Sequence, residues 1–341
     1  MASRWRRLIA GYPELLLVLA AAIIGLCVQP PLAWLANHQG INVLLAVLVF
    51  ATALTIEPAA LARIAPAWRS LTGALAAGIT VLPALSWTVS LLAGAGPLRD
   101  GIMTIGLAPC EIASVATTAM AGGEAVLSAG VLIGSTVTTV LLAGPILTLE
   151  AGHADVSPSG IIANLALVVA LPLVAGVTVR AKVPPAARAG QPAARTAMIA
   201  VAALVALIAA EVHLSARYLS VALALVVFLA GSAVLGRFLG FGARRPARAS
   251  LLLTTSMRDF AIAAGVATAA FGTAAAAPLG LYGILVLVWG TAVAGILRQR
   301  DARNAPPPPP GPAPPTPAPG PPSAPPAPPA PPASDGATSA T

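Results

Sequence analysis

Apolar residues in this chain come in runs of about 20, far longer than the stripes that alternate with polar residues along a soluble amphipathic helix. Each run is long enough, as a helix, to cross a hydrocarbon layer about 30 Å thick. The period-two alternation of a membrane barrel strand is absent. The pattern predicts an all-α polytopic membrane protein with ten spans: 11–29, 38–56, 71–95, 98–121, 124–149, 158–180, 195–212, 214–236, 248–271 and 276–297. Arg4, Arg6 and Arg7 ahead of the first run mimic a signal peptide. Pro13 and Glu14 interrupt that run and nine more follow, so it reads as a span and not as a cleaved leader.

Charge then tests the count. With both termini on one side, all but three of the 19 Lys and Arg residues fall on that side; Arg99 and Arg217 fall on the other, and Arg258 lies within a span. This asymmetry predicts cytoplasmic termini in a multi-pass protein of the cytoplasmic membrane. Trp5, Tyr12 and Trp68 fall near the inner interface, and Trp34 and Tyr218 near the outer one. Only 9% of the 341 residues are charged, against about 25% in soluble domains, and the net charge of +8 reads as topology and not as a nucleic-acid surface. The expected domains are a transmembrane body over 1–303 and a Pro/Ala-rich tail over 304–341. That tail favours polyproline II and cannot bury a core, and it reads as disordered, with a docking segment for a proline-reading partner as the second reading.

Two spans carry polar groups at mid-membrane. The fourth reads GIMTIGLAPCEIASVATTAMAGG, with Pro109, Cys110, Glu111 and Ser114 at its centre; the ninth holds Thr254, Thr255, Ser256, Arg258 and Asp259. A charge at the bilayer centre costs at least about 2.5–3.5 kcal/mol, so these three face protein or water and offset one another. The two segments are five places apart in the order of spans, fourth and ninth, so they run in opposite directions. This predicts two inverted five-helix repeats whose fourth and ninth helices are interrupted and cross. Pro109 and Cys110 mark the first break, Pro109 lacking a backbone donor. The ninth span has only hydroxyls that compete for backbone groups. Glu111 and Arg258 are expected to pair at the crossing.

The stretch from Gly106 to Pro145 resembles the fourth and fifth helices of the bile acid:sodium symporter family, where a Pro-Gly-Gly-Thr-Ala-Ser-Asn-type break precedes a Ser/Thr-rich helix. The segment SMRDFAIAAGVA, from Ser256 to Ala267, resembles its ninth-helix motif. The resemblance covers roughly 11–297 and implies a panel domain packed on a core that holds the crossing helices. It also implies sodium-holding roles for Ser114 and Ser128. Val115, Leu132, Arg258 and Ile262 stand where the family has Asn, Thr, Glu and Gln ligands, and in the third helix only Thr80 offers a polar side chain. Sodium requires an oxygen-rich, anionic cage, and a guanidinium at its centre repels it.

These observations point to a secondary transporter of a small organic anion, with Glu111, Ser114, Thr255, Ser256, Arg258 and Asp259 at the substrate site. Glu111, Ser114 and Ser128 are the expected ion-coupling residues, and the coupling ion is sodium or a proton. Arg258 would take the place of one sodium charge. Two other functions remain open. Cys110 after Pro109 resembles the break of arsenite permeases, which implies metalloid efflux; a non-transporting receptor or scaffold would signal through the tail. Enzyme chemistry is not expected, since His38, His153 and His213 sit at span ends without a nucleophile or metal spacing, and no cofactor is implied. Cys27 and Cys110 lie far apart in apolar runs and form neither a disulfide framework nor a metal cluster.

Overall fold

The computed structural model describes residues 13–55, 67–151, 157–183, 190–212 and 215–304. The Pro/Ala-rich tail, the basic amino-terminal residues, His153 and His213 lie outside the described residues. The helical body extends to Ala302, and the chain from Arg303 onward forms a second unit.

Among the described residues every regular element is helical. In chain order these are α1 (Pro13–Cys27), α2 (Gln29–Ala53), α3 (Trp68–Ala93), α4 (Pro97–Leu107), α5 (Ala113–Met120), α6 (Ala125–Ala151) and α7 (Pro158–Lys182). They continue with α8 (Gly190–Ala210), α9 (Arg217–Leu239), α10 (Arg245–Ser256), α11 (Phe260–Phe271) and α12 (Ala277–Asn304). Among the described residues seven helices are long and apolar enough to span a membrane: α2, α3, α6, α7, α8, α9, and α12 with the short turn Thr273–Ala276 before it.

Local sequence explains most boundaries. Pro97, Pro158 and Pro246 each stand in the first turn of their helices, where a missing N–H costs nothing. The Ser157 hydroxyl caps α7 by accepting from Gly160 N at 3.2 Å. The second span begins earlier than its hydropathy suggests. Gln29–Leu35 is already helical, with prolines in its first turn, and the helix kinks at His38 and Gln39 before resuming at Ile41. Gln39, at φ 67°, is the only non-glycine residue with a positive φ among those described.

The helices pack in two groups. In one, α8 packs on both α1 and α2, and α2 packs on α7. In the other, α3 packs on α4, α9 on α10, and α6 on α3 and α10. Large apolar side chains of the first group, including Ile23, Trp34, Leu171 and Ile199, remain more than half exposed, as lipid-facing surface must. Trp34 and Trp68 are likewise exposed, in keeping with interfacial positions. Close approach of α12 to α11 and the residues just before it depends on small residues: a Cβ on Gly283 would sit 2.9 Å from the Phe260 ring, and one on Gly290 2.6 Å from Met257.

Candidate functional site

Both polar spans are interrupted. The chain leaves α4 at Ala108 in an extended conformation and re-enters helix at Ala113; it leaves α10 at Met257 and re-enters at Phe260. The two extended stretches meet as an antiparallel bridge between Cys110 and Arg258. Glu111 N donates to Met257 O at 2.8 Å, and Asp259 N donates to Pro109 O at 2.9 Å. Each break thus satisfies the backbone groups that the other exposes, as burial requires. The remaining groups find side chains. Ser135 Oγ accepts from Cys110 N at 3.1 Å, Thr139 donates to Leu107 O at 2.8 Å, and Tyr282 Oη accepts from Arg258 N at 3.3 Å.

The three charges sit on this crossing and are buried: Glu111 is 6% exposed, Arg258 3% and Asp259 1%. They do not pair as expected. Arg258 Nη2 donates to Ala108 O, at the carboxyl end of α4, and its Nε has no partner. Glu111 makes no ion pair with it; an ion pair at 3.9 Å joins Arg244 to Glu124 away from the crossing. The physical reason is register. In the bridge, Glu111 lies opposite Met257 and not Arg258, and its carboxylate faces the N–H groups of Ile112, Ala113 and Phe260. Asp259 caps α11, its Oδ1 accepting from Ile262 N at 2.8 Å. Both carboxylates therefore meet amino-terminal helix ends and the guanidinium meets a carboxyl-terminal one, as the helix dipoles favour. Glu111 Oε2 and Asp259 Oδ2 remain without hydrogen-bond partners.

The other expected site residues divide. Ser114 is buried in the first turn of α5 and donates to Cys110 Sγ at 3.8 Å. Ser256 accepts from Trp289 Nε1 at 3.0 Å. Thr255 and Ser128 are buried with unpartnered hydroxyls, and Ser128, on α6, is not drawn into the hydrogen-bonded crossing. Thr80 is exposed and turned back onto Ala76 O at 2.7 Å, so the third helix contributes no polar side chain through it. What α3 brings to the crossing is Gly78, whose Cβ position lies 3.9 Å from Arg258 Nη2. Residues not anticipated from the sequence are Tyr282 and Trp289, seven apart on one face of α12, and Ser135 and Thr139, four apart on α6; the spacing was the available signal.

Two small cavities flank the crossing. One, about 10 Å³, lies between α3 and α6 and is lined by Gly78, Ser135, Thr138, Thr139 and Arg258. Such a volume has room for about one water. The other, about 20 Å³, lies among α2, α6, α7 and α11 and is mostly apolar, with Val49, Thr52, Thr136 and Ile262 in its wall. Cys110 is fully buried and lines neither.

The profile of the sodium bile acid symporter family matches residues 42–222, which includes Pro109, Cys110, Glu111 and Ser114 but stops before Arg258. No curated protein matches the chain. The matched segment covers more than half the chain, and it runs through helices of membrane-spanning length around a helix break. The protein is thus a multi-pass membrane transporter and not an enzyme, and it belongs to the sodium bile acid symporter family.

Proposed function

We propose that the protein is a ten-span carrier for a small organic anion, with Arg258 as the anion-binding group in place of a sodium ion. The observation that carries this reading is a guanidinium buried where four half-helix ends meet, paired with no carboxylate and with Nε unpartnered. Arg binds carboxylates and sulfonates through two parallel N–H bonds, so an unused Nε edge suits such a head group. The cost of burying the charge argues for a functional role.

The ten spans comprise the seven long helices, the shorter α1, and the broken pairs α4/α5 and α10/α11. Helix packing supports two inverted repeats of five, and the asymmetry of Lys and Arg supports cytoplasmic termini. If α1 to α6 correspond to α7 to α12, the contact of α1 with α8 has its counterpart in that of α7 with α2. In the same way α3 with α4 matches α9 with α10, and α4 with α11 matches α10 with α5.

The donor set at the crossing does not suit sodium. Ser114 and Ser128 supply hydroxyls, but Val115, Leu132 and Ile262 supply no side-chain oxygen, and Arg258 places a positive charge on the shared position. Glu111, with one unpartnered oxygen, is the residue we assign to carrying a coupling proton. The thiol of Cys110 faces neither cavity, so nothing in the geometry favours metalloid transport.

Thermal stability of the detergent-purified protein tests this, measured in sodium and potassium chloride at equal ionic strength, with and without small carboxylates and sulfonates. A ligand at a hundredfold excess over its Kd stabilises the folded state by about 2.7 kcal/mol. The expected result is a rise with an organic anion that disappears in Arg258→Gln, and no difference between the two cations. A rise specific to sodium would establish an ordinary cation site and refute the replacement.

A further inference from the structure

A second feature lies away from the crossing, on the face shared by α2, α7 and α8. A groove of about 590 Å³ opens there, lined by Val47 and Phe50 of α2, Leu54 just past its end, Leu171 and Ala175 of α7, and Thr196 of α8. The Thr196 hydroxyl is turned onto Pro192 O at 3.0 Å, so the wall is almost entirely hydrocarbon. Along α2 and just past its end the wall runs from Ala46 to Leu54. At 1.5 Å per residue that is about 12 Å, close to half of a 30 Å hydrocarbon layer. The groove is therefore no longer than one leaflet is deep. Neighbouring side chains Leu171, Val174 and Ile199 are 61%, 64% and 65% exposed, so its mouth faces lipid tails.

One end of the groove is basic. Lys182 stands two turns beyond Ala175 on α7, in the last turn with Arg180; Arg195 stands beside Thr196 at the start of α8. Lys182 and Arg195 are exposed. No Asp or Glu occurs anywhere in α2, α7 or α8. The combination is an apolar slot about one leaflet deep, with two exposed cations, Lys182 and Arg195, on the flanking ends of α7 and α8.

We propose that this groove binds an anionic phospholipid, one acyl chain in the slot and the phosphate between Lys182 and Arg195. Each such cation near a membrane surface favours an anionic lipid by roughly fivefold, and two by roughly 25-fold. The full-length protein in detergent would be exposed to dioleoyl phosphatidylglycerol or dioleoyl phosphatidylcholine. Retained lipid is counted by native mass spectrometry, and folding is checked by thermal unfolding. Wild-type protein is expected to retain phosphatidylglycerol about 25-fold more readily. Lys182→Gln with Arg195→Gln should bring both lipids to the phosphatidylcholine level. Ala175→Trp, at an exposed position, should remove both by filling the slot. The proposal is overturned if the double variant keeps its preference, or if Ala175→Trp folds and still retains lipid. It is equally overturned if Ala175→Trp alters the oligomeric state without losing lipid, since the occupant would then be a second copy of the chain.

Discussion

Gly78 offers a way to block the cleft at Arg258 without touching the guanidinium. It lies in the regular helical part of α3, and a Cβ there meets only Arg258 Nη2, at 3.9 Å, an ordinary contact. Ala at a helix position gains up to about 1 kcal/mol over Gly, so Gly78→Ala should fold at least as well as the parent. Its methyl group, however, enters a cleft of about 10 Å³ that has room for about one water. A hydrogen bond to a charged group is worth about 1.5–3 kcal/mol. Losing the guanidinium contact should therefore weaken anion binding by about tenfold to a hundredfold. The assay pairs thermal shift against titrated carboxylates with uptake into proteoliposomes. Gly106→Ala serves as the contrasting control. There the Cβ would lie 2.2 Å from Ser86 Oγ and 2.4 Å from the backbone oxygen of Leu82, so α3 and α4 must separate. Overpacking of this kind costs about 1–3 kcal/mol or more, and folding should suffer. If Gly78→Ala folds normally and binds anions as tightly as the parent, the cleft between α3 and α6 is not where the anion meets Arg258.

Three further comparisons of variants probe the crossing. Asp259→Asn should retain the cap on α11, whereas Asp259→Ala should lose about 1 kcal/mol from the missing bond to Ile262 N, read as a lower unfolding temperature for Ala than for Asn. Cys110→Ser should leave organic-anion uptake intact, because the thiol lines neither cavity; loss of uptake in a folded protein would bring thiol chemistry back. Exchanging charges, Glu111→Arg with Arg258→Glu, should not restore folding lost in either single variant, because each group faces a helix end of the opposite sign; recovery of the folded fraction in size-exclusion profiles would mean that the two pair after all.

How far the sequence discloses this arrangement depends on whether the cause is local. Apolar run length fixes the long helices because lipid demands internal backbone pairing wherever the chain crosses. Pro109 announces the first break because a missing donor is a property of one residue. The break at Met257–Asp259 has no such mark, since its cause is tertiary: Pro109 O and Glu111 N supply the partners that let the ninth span unwind. Asp259 before the apolar stretch FAIAA was a readable cap, although it says where α11 starts and not that α10 has stopped. The pairing of Glu111 with Arg258 failed for a related reason. Opposite charges at mid-membrane suggested an ion pair, but a bridge centred on Cys110 and Arg258 puts Met257 opposite Glu111. Thr80 misled because a threonine on a helix can return its proton to the preceding turn, as it does to Ala76 O.

The distribution of charge over helix ends has a consequence for how an anion could be taken up and let go. Removing one partner from a buried ion pair costs about 3–5 kcal/mol, because the other charge is stranded. Had Arg258 been locked to Glu111, an arriving carboxylate would have had to displace that carboxylate and leave it uncompensated. Instead Arg258 is held by the Ala108 carbonyl, while Glu111 and Asp259 rest on the N–H groups that open α5 and α11. A carboxylate meeting the free Nε edge then adds a partner without removing one from either acid. The same arrangement limits affinity, since the two nearby carboxylates repel the newcomer. For a carrier, which must release what it binds, a guanidinium satisfied by backbone is better suited than one committed to a salt bridge.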